Sequence, residues 1–217
     1  MENFSVKKLI AFAAVLLPLL GIAQNTKTVL EKFMAQMKNL KTVAIDFEYR
    51  YENAAEKADN RQQGQLLIMD KMYKLDWETS AIYCNGQLRW TYLKDVNEVT
   101  INTPSMVEDG IFADPSMLFS FDEKDYQHKL RSERANVEGK VVLEVDLFPK
   151  DKKTGYTSIR LQVEKATQLP VSIVYYGKNG SNVTVKIQKI DAAIKPTPAD
   201  FTFDVKKRPD VEVVDMR

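Results

Sequence analysis

The residues TKTVLEKFMAQMKNLKTVAIDFEYRY (26–51) change their hydrophobic period from that of a helix to that of a strand. Over 26–42 the apolar residues recur at spacings of three and four, which predicts an amphipathic helix. From residue 43 onward they occupy every second position, which predicts a strand with one apolar and one polar face. The helix stripe consists of Val29, Leu30, Phe33, Met34, Met37 and Leu40, and the strand face of Val43, Ile45, Phe47, Tyr49 and Tyr51.

Ten further strand-like segments follow this first strand, and short turns rather than helices separate them. Such a series predicts one large antiparallel sheet, which must curl or split and whose apolar face must be covered. The candidates for this cover are the N-terminal helix and an apolar segment over 104–121. NAAEKADN (53–60) is predicted to be an exposed loop, and FTFDV (201–205) a last short element. The ten predicted strands are 64–69, 72–77, 81–84, 87–92, 97–102, 125–133, 140–148, 156–164, 170–176 and 182–190.

The first 23 residues have the pattern of a cleaved export signal. Lys7 and Lys8 precede the apolar run LIAFAAVLLPLLGIA (9–23), which ends in small residues. The run is shorter than the roughly 20 apolar residues that a membrane-spanning helix needs, although a retained anchor is an alternative. We therefore expect a signal peptide over 1–23, one domain over 24–217, and a location in the periplasm.

Charge and cysteine content exclude several classes of protein. Cleavage before Gln24 removes Lys7, Lys8 and Glu2 from 31 basic and 30 acidic residues, which leaves a net charge near zero. No basic excess then favours nucleic acid or an anionic membrane as partner. Cys84 is the single cysteine, so no internal disulfide can form.

The sequence carries little that would support catalysis. His128 is the single histidine, and with one thiol this excludes the usual transition-metal sites. No glycine-rich phosphate loop, nucleophile elbow or zinc-protease helix motif occurs. We therefore expect a protein that is not an enzyme and that uses no cofactor and no metal. A hydrolase with two catalytic carboxylates is a remote alternative.

The residues that stand out instead are apolar and aromatic. One helix covers ten curled strands poorly, which favours an apolar interior that is incompletely filled. Pro104, Gly110 and Pro115 divide the segment 104–121 into pieces too short to be stable helices alone. Low local stability is what a movable lid requires.

Several stretches, taken in chain order, resemble the outer-membrane lipoprotein carrier protein family, LolA. The resemblance covers essentially the whole chain after the export signal. The matching stretches are FMAQMKNLKTVAIDFEY (33–49), QGQLLIM (63–69), the short strand ending in Trp77, CNGQLRWTY (84–92), PSMLFSF (115–121) and FTFDVKKRPDVEVVDMR (201–217).

This resemblance implies a mostly β fold in which a single curled antiparallel sheet forms an unclosed β-barrel. An N-terminal helix and short lid helices would cover it. The implied function is a monomeric periplasmic chaperone that accepts acylated lipoproteins from an inner-membrane ABC transporter and passes them to an outer-membrane acceptor lipoprotein. Because Gln24 rather than a cysteine follows the export signal, the chain resembles the carrier and not the acceptor.

The resemblance also implies roles for particular residues. The side chains expected to line an acyl-chain cavity are Met37, Phe47, Leu75, Trp77 and Trp90. The lid residues expected to fill that cavity when no ligand is bound are Met117, Leu118 and Phe119. At the family's lid-latching arginine this chain has Lys71, a possible latch that keeps the charge but loses the planar guanidinium.

Two other interpretations remain open at this point. The same fold could carry another lipid, or sense mislocalised lipoproteins. The chain could also be a structural β module whose core is filled and which binds no lipid.

Overall fold

The computed structural model describes residues 18–104, 121, 124–135 and 139–217, with backbone alone for 18–26 and 134–135. These ranges contain one α-helix, twelve strands and two short 3-10 helices, at Pro198–Phe201 and Val205–Lys207. The helix and strands are α1 (Pro18–Asn39), β1 (Thr42–Asn53), β2 (Ala58–Met69), β3 (Met72–Trp77), β4 (Ser80–Cys84), β5 (Arg89–Leu93), β6 (Glu98–Asn102), β7 (Tyr126–Ala135), β8 (Val141–Pro149), β9 (Tyr156–Glu164), β10 (Pro170–Gly177), β11 (Ser181–Asp191) and β12 (Glu212–Asp215).

All twelve strands form one sheet, in the order β12-β6-β5-β4-β3-β2-β1-β11-β10-β9-β8-β7. Neighbouring strands are antiparallel except for β12, which runs parallel to β6. The edge strands β12 and β7 lie at opposite ends of this order and do not pair with each other, so the sheet is not closed into a barrel. The predicted fold class, mostly β with a single unclosed antiparallel sheet, is confirmed.

One face of the sheet, which we call the inner face, packs against α1. Val29, Leu30 and Phe33 of α1 are buried in the main apolar cluster, and Met34, Met37 and Leu40 lie partly buried beside it. The stripe predicted from the spacing of these residues is therefore confirmed. The strands supply the apolar side chains of every second position, among them Phe47, Leu75, Leu147, Leu161 and Val185.

The opposite, outer face is also covered, but only over β4, β5 and β6. There Trp90, Tyr92, Val99 and Ile101 pack against Phe203 and Val211 of the chain's last twenty residues, in a second buried cluster. The Arg208 guanidinium lies 4.7 Å from the ring centroid of Tyr92 and 5.2 Å from that of Phe203. Elsewhere the outer face bears ion pairs such as Arg160 with Asp146 at 2.8 Å.

Three local predictions differ from the structure. The described helix extends back to Pro18, before the predicted start at residue 26, since Leu19 and Leu20 are good helix formers. Residues 58–60, predicted as loop, belong to β2, because β1 and β2 pair over their full length and leave only a turn at 54–57. FTFDV is not the last element: its end residues belong to two 3-10 helices, and the strand Glu212–Asp215 follows it.

Candidate functional site

Three aromatic side chains form a wall on the inner face where β1, β2 and β3 meet. The Trp77 ring contacts Phe47 edge to face with centroids 5.5 Å apart, and Tyr49 with centroids 5.6 Å apart. Phe47 and Trp77 are both paired with Gly64, which stands between them on β2. Such edge-to-face contacts hold large rings in fixed positions and give a broad apolar surface.

Gly64 is required by the close approach of the Phe47 ring. A Cβ atom at position 64 would lie 2.5 Å from Cζ and 2.8 Å from Cε2 of Phe47. These distances are far below van der Waals contact, so the ring lies across the bare backbone of β2. The glycine that opens the predicted strand 64–69 therefore positions the aromatic wall.

The predicted lining residues differ in how much of each side chain an incoming molecule could touch. Phe47 and Leu75 are 1% and 0% exposed, so they form the floor of the face. Met37 and Trp77 are partly exposed and lie at the rim of the same apolar cluster. The structure thus brings together Met37, Phe47, Leu75 and Trp77, with Met37 and Trp77 accessible.

A second aromatic group joins α1 to the other end of the sheet. Phe121 stacks on Phe33 at 6.2 Å and meets Tyr126 edge to face at 5.9 Å. The hydroxyls of Tyr126 and Tyr156 share a hydrogen bond of 2.8 Å, and Tyr156 meets Tyr175 edge to face. Burial raises the pKa of both Tyr156 and Tyr175, so these two phenols stay neutral.

Trp90, the fifth predicted lining residue, lies on the outer face. Side chains directly opposite each other in neighbouring strands point to the same face. Trp90 is opposite Tyr83, which is opposite Lys74, whereas Leu75 is opposite Ile82. Trp90 therefore packs in the cluster beneath the C-terminal segment and not with the aromatic wall.

The remaining predicted residues concern the lid. Met117, Leu118 and Phe119 lie outside the described residues. Lys71 is exposed in the turn between β2 and β3 and makes no hydrogen bond or ion pair within the described part of the chain.

The inner face becomes polar on β5 and β6. One row of paired residues crosses from β1 to β6 and consists of Val43, Ile68, Tyr73, Cys84, Arg89 and Asn102. Arg89 is only 8% exposed. Sequence reasoning missed this residue, because the alternation in QLRWTY (87–92) assigns Trp90 to the apolar face and Arg89 to solvent.

The outer face behind the aromatic wall has a shallow depression of about 590 Å³ with polar lining. Here Gln65 Nε2 donates to Asp46 at 2.8 Å, and the Lys94 ammonium contacts Asp76 at 2.7 Å. Lys94 also donates to the backbone oxygen of Trp77. These contacts fix β3 from behind and hold the Trp77 backbone in place.

Residues 18–104, 121, 124–135 and 139–217 offer no group of three or more His, Cys, Asp and Glu side chains that could hold a metal ion. Within the same ranges, no helix has both the length and the apolar character needed to cross a membrane.

Comparison with known proteins gives a family and a fold. The family whose sequence model matches residues 82–205, more than half of the chain, is described as "Uncharacterized protein". No curated protein matches the chain in sequence.

Solved structures resemble the chain at low sequence identity. An uncharacterized conserved protein from Thermus thermophilus has 14% identity and a TM-score of 0.54, and the match covers 87% of this chain and 98% of that one. A LolA superfamily protein from Nitrosomonas europaea has 14% identity and a TM-score of 0.45, with 83% and 98% covered. The lipoprotein LppX from Mycobacterium tuberculosis has 9% identity and a TM-score of 0.48, with 78% and 98% covered. At these identities the likeness concerns the fold, and the Thermus protein carries that conclusion.

Proposed function

The chain belongs to the family described as "Uncharacterized protein", and from its inner face and its sequence resemblance to LolA we propose that it is a non-catalytic carrier of acyl chains. In this proposal it binds the acyl chains of lipoproteins against the inner face. It would act in the periplasm, receive its cargo from an inner-membrane ABC transporter, and pass it to an outer-membrane acceptor lipoprotein.

The observation that carries the proposal is the partly exposed aromatic and methionine rim over a fully buried apolar floor. Trp77 and Met37 are accessible at the edge of a cluster whose floor includes Phe47 and Leu75. A flexible thioether and broad aromatic rings suit ligands of variable shape better than a rigid polar pocket does. The neutral phenols of Tyr156 and Tyr175 keep charge out of the same cluster.

The energetics of acyl chains explain why a carrier is needed. Each methylene group costs about 0.8 kcal/mol to keep in water. About eight methylenes, half of one typical chain, then cost roughly 6 kcal/mol, so a lipid anchor does not cross an aqueous gap unaided. A carrier must cover this surface and still release it, which favours apolar contacts over tight polar anchors.

The chain contains its own probe for this proposal, because its two tryptophans lie on opposite faces of the sheet. Bromine atoms on an acyl chain quench indole fluorescence on near contact. Trp90→Phe leaves Trp77 as reporter on the inner face, and Trp77→Phe leaves Trp90 as reporter on the outer face. We expect a brominated triacylated lipopeptide to quench the first variant and to leave the second unchanged.

Circular dichroism of both variants controls for folding, and the unbrominated lipopeptide controls for changes of environment. Quenching of Trp90 without quenching of Trp77 would show that the ligand binds the outer face, which would contradict the proposal. Absence of quenching in both variants would favour a structural β module. Depletion of the protein in its native host then tests transport, since lipoproteins should accumulate at the inner membrane.

A further inference from the structure

Arg89 is a buried cation on the face that we propose to bind acyl chains. On one side it is opposite Cys84, which belongs to the apolar cluster of the inner face, and on the other it is opposite Asn102. The side chain is 8% exposed, and its Nε atom is fully buried. The row that begins at Val43 on β1 thus passes through apolar side chains to the guanidinium of Arg89 on β5 and the side-chain amide of Asn102 on β6.

The Arg89 side chain has no partner among the residues that the structure describes. It makes no hydrogen bond and no ion pair with them, and its buried Nε atom has no acceptor. Other arginines of the sheet are paired, as Arg50 is with Asp59 and Arg160 with Asp146, each at 2.8 Å. An arginine so deeply buried is normally paired, because desolvation without compensation is costly.

Asn102 shows the same property on the adjoining strand. Its Oδ1 atom is buried and unpartnered, and its side-chain amide makes no hydrogen bond within the described chain. The amide is therefore free to turn about its Cβ–Cγ bond and present its NH2 group as a second donor beside Arg89. Thr91 and Thr100, paired with each other in the next row, add two hydroxyls to the same polar end.

From this arrangement we infer that Arg89 and Asn102 bind the oxyanion headgroup, carboxylate or phosphate, of an amphiphile whose acyl chain lies on the inner face. The inference rests on the proposed function and adds the chemistry of the ligand's polar end. A planar guanidinium with five N–H donors matches two oxygens of a carboxylate or phosphate at once. The order along the row, from apolar side chains to cation, matches the order from acyl chain to headgroup.

The test compares ligands that share a chain and differ in the headgroup. Dodecanoate, dodecyl phosphate and dodecanol are titrated below their aggregation limits at mildly alkaline pH, with acetate and inorganic phosphate as chain-free probes. Isothermal calorimetry gives each dissociation constant. For the native sequence we expect dodecanoate and dodecyl phosphate to bind about ten- to a hundredfold more tightly than dodecanol, the range of a charge-assisted hydrogen bond.

Two variants and a control locate the effect. Arg89→Met replaces the buried cation by an apolar side chain of similar length. It should abolish the headgroup preference while dodecanol affinity stays unchanged and the midpoint of thermal unfolding rises. Asn102→Leu should reduce the preference by a smaller factor. Arg61→Met is the matched control, because Arg61 is exposed on the outer face and its replacement should leave all constants unchanged.

The possible results are distinct. If dodecanol and dodecanoate bind the native sequence equally, the headgroup inference is overturned, whereas the proposal that the protein carries acyl chains is not. If inorganic phosphate binds, the dodecyl ligands do not, and Arg89→Met abolishes phosphate binding, then the site binds a free oxyanion. The inference that it binds an amphiphile would then be overturned. Failure of every probe to bind would overturn both this inference and the proposed function. A fall in the unfolding midpoint of Arg89→Met, with the preference retained, would make Arg89 a structural residue.

Discussion

The packing of the aromatic wall depends on the absence of a Cβ atom at Gly64. Adding a methyl group at this position tests the packing directly. In Gly64→Ala the new Cβ would lie 2.5 Å from Cζ, 2.8 Å from Cε2 and 3.1 Å from Cε1 of Phe47. An ordinary carbon–carbon contact is about 3.5–4.0 Å, so the ring must retreat by about 1 Å or the β2 backbone must move. Phe47 is 1% exposed and its ring contacts Trp77 with centroids 5.5 Å apart, so a movement of the Phe47 ring must displace its buried neighbours.

Overpacking of this kind costs about 1–3 kcal/mol. In a domain of this size that range lowers the midpoint of thermal unfolding by about 2–12 °C. Urea denaturation followed by circular dichroism measures the free energy, and Trp77 fluorescence reports whether the ring movement reaches the wall. Gly155→Ala is the matched control: nothing lies within 4 Å of the added Cβ, so the change should stay within about 0.5 kcal/mol.

A double-mutant cycle separates the clash from any other effect of the alanine. Phe47→Leu alone removes ring atoms and should cost about 1–2 kcal/mol by leaving a cavity. In its presence Gly64→Ala should cost little, because the leucine leaves room for the new methyl group. We expect a favourable coupling of about 1–2 kcal/mol. Additive effects, or a Gly64→Ala variant as stable as the native sequence, would refute the account of the wall.

Two further predictions concern titratable groups. Burial alone would raise the pKa of Asp76. The hydrogen bonds from Lys94 and Lys74 have the opposite effect and together outweigh it, so the pKa lies below its ordinary value. Asp76→Asn should therefore lower the free energy of unfolding near neutral pH. The difference should disappear in urea titrations as the pH falls from about 4 through the lower pKa of the folded protein; a difference that persists in acid would contradict this. Because burial raises the pKa of Tyr156, Tyr156→Phe should leave the absorbance change between about pH 9 and 11 unaltered. The variant should lose about 1 kcal/mol of stability, since it deprives the Tyr126 hydroxyl of its partner; a smaller absorbance change would show that Tyr156 titrates normally.

Periodicity predicts those parts of the fold in which local pattern and tertiary environment agree. The stripe from Val29 to Leu40 and the alternation from Val43 to Phe47 both face the same cluster, so each was readable from spacing alone. The hairpin at Asn85 was readable for a chemical reason. Its side-chain Oδ1 accepts from the backbone N–H groups of Gln87 and Leu88, which stabilises the turn.

Periodicity fails where both faces of the sheet are covered. On β4 both Ala81 and Ile82 are buried, so alternation does not reveal which of them faces α1. The position of Trp90 depends on the C-terminal segment, whose Phe203 covers the outer face from more than a hundred residues away in sequence. No local pattern contains that contact, and for this reason the sequence placed Trp90 on the wrong side.

The same long-range contact accounts for the unpaired cation. Once Phe203 and Val211 cover the outer face of β5 and β6, Trp90 and Tyr92 are committed to that side, and their neighbour Arg89 must face inward. The buried outer cluster stabilises these strands without help from Arg89, so the sheet tolerates a buried arginine whose Nε atom has no acceptor. A residue that lowers the stability of the ligand-free protein in this way is typical of binding sites. There a side chain departs from the usual preference for its environment, and interactions in other parts of the fold offset the lost stability. On this argument the outer cluster fixes the strands, and the inner ends of the same strands remain available for ligand.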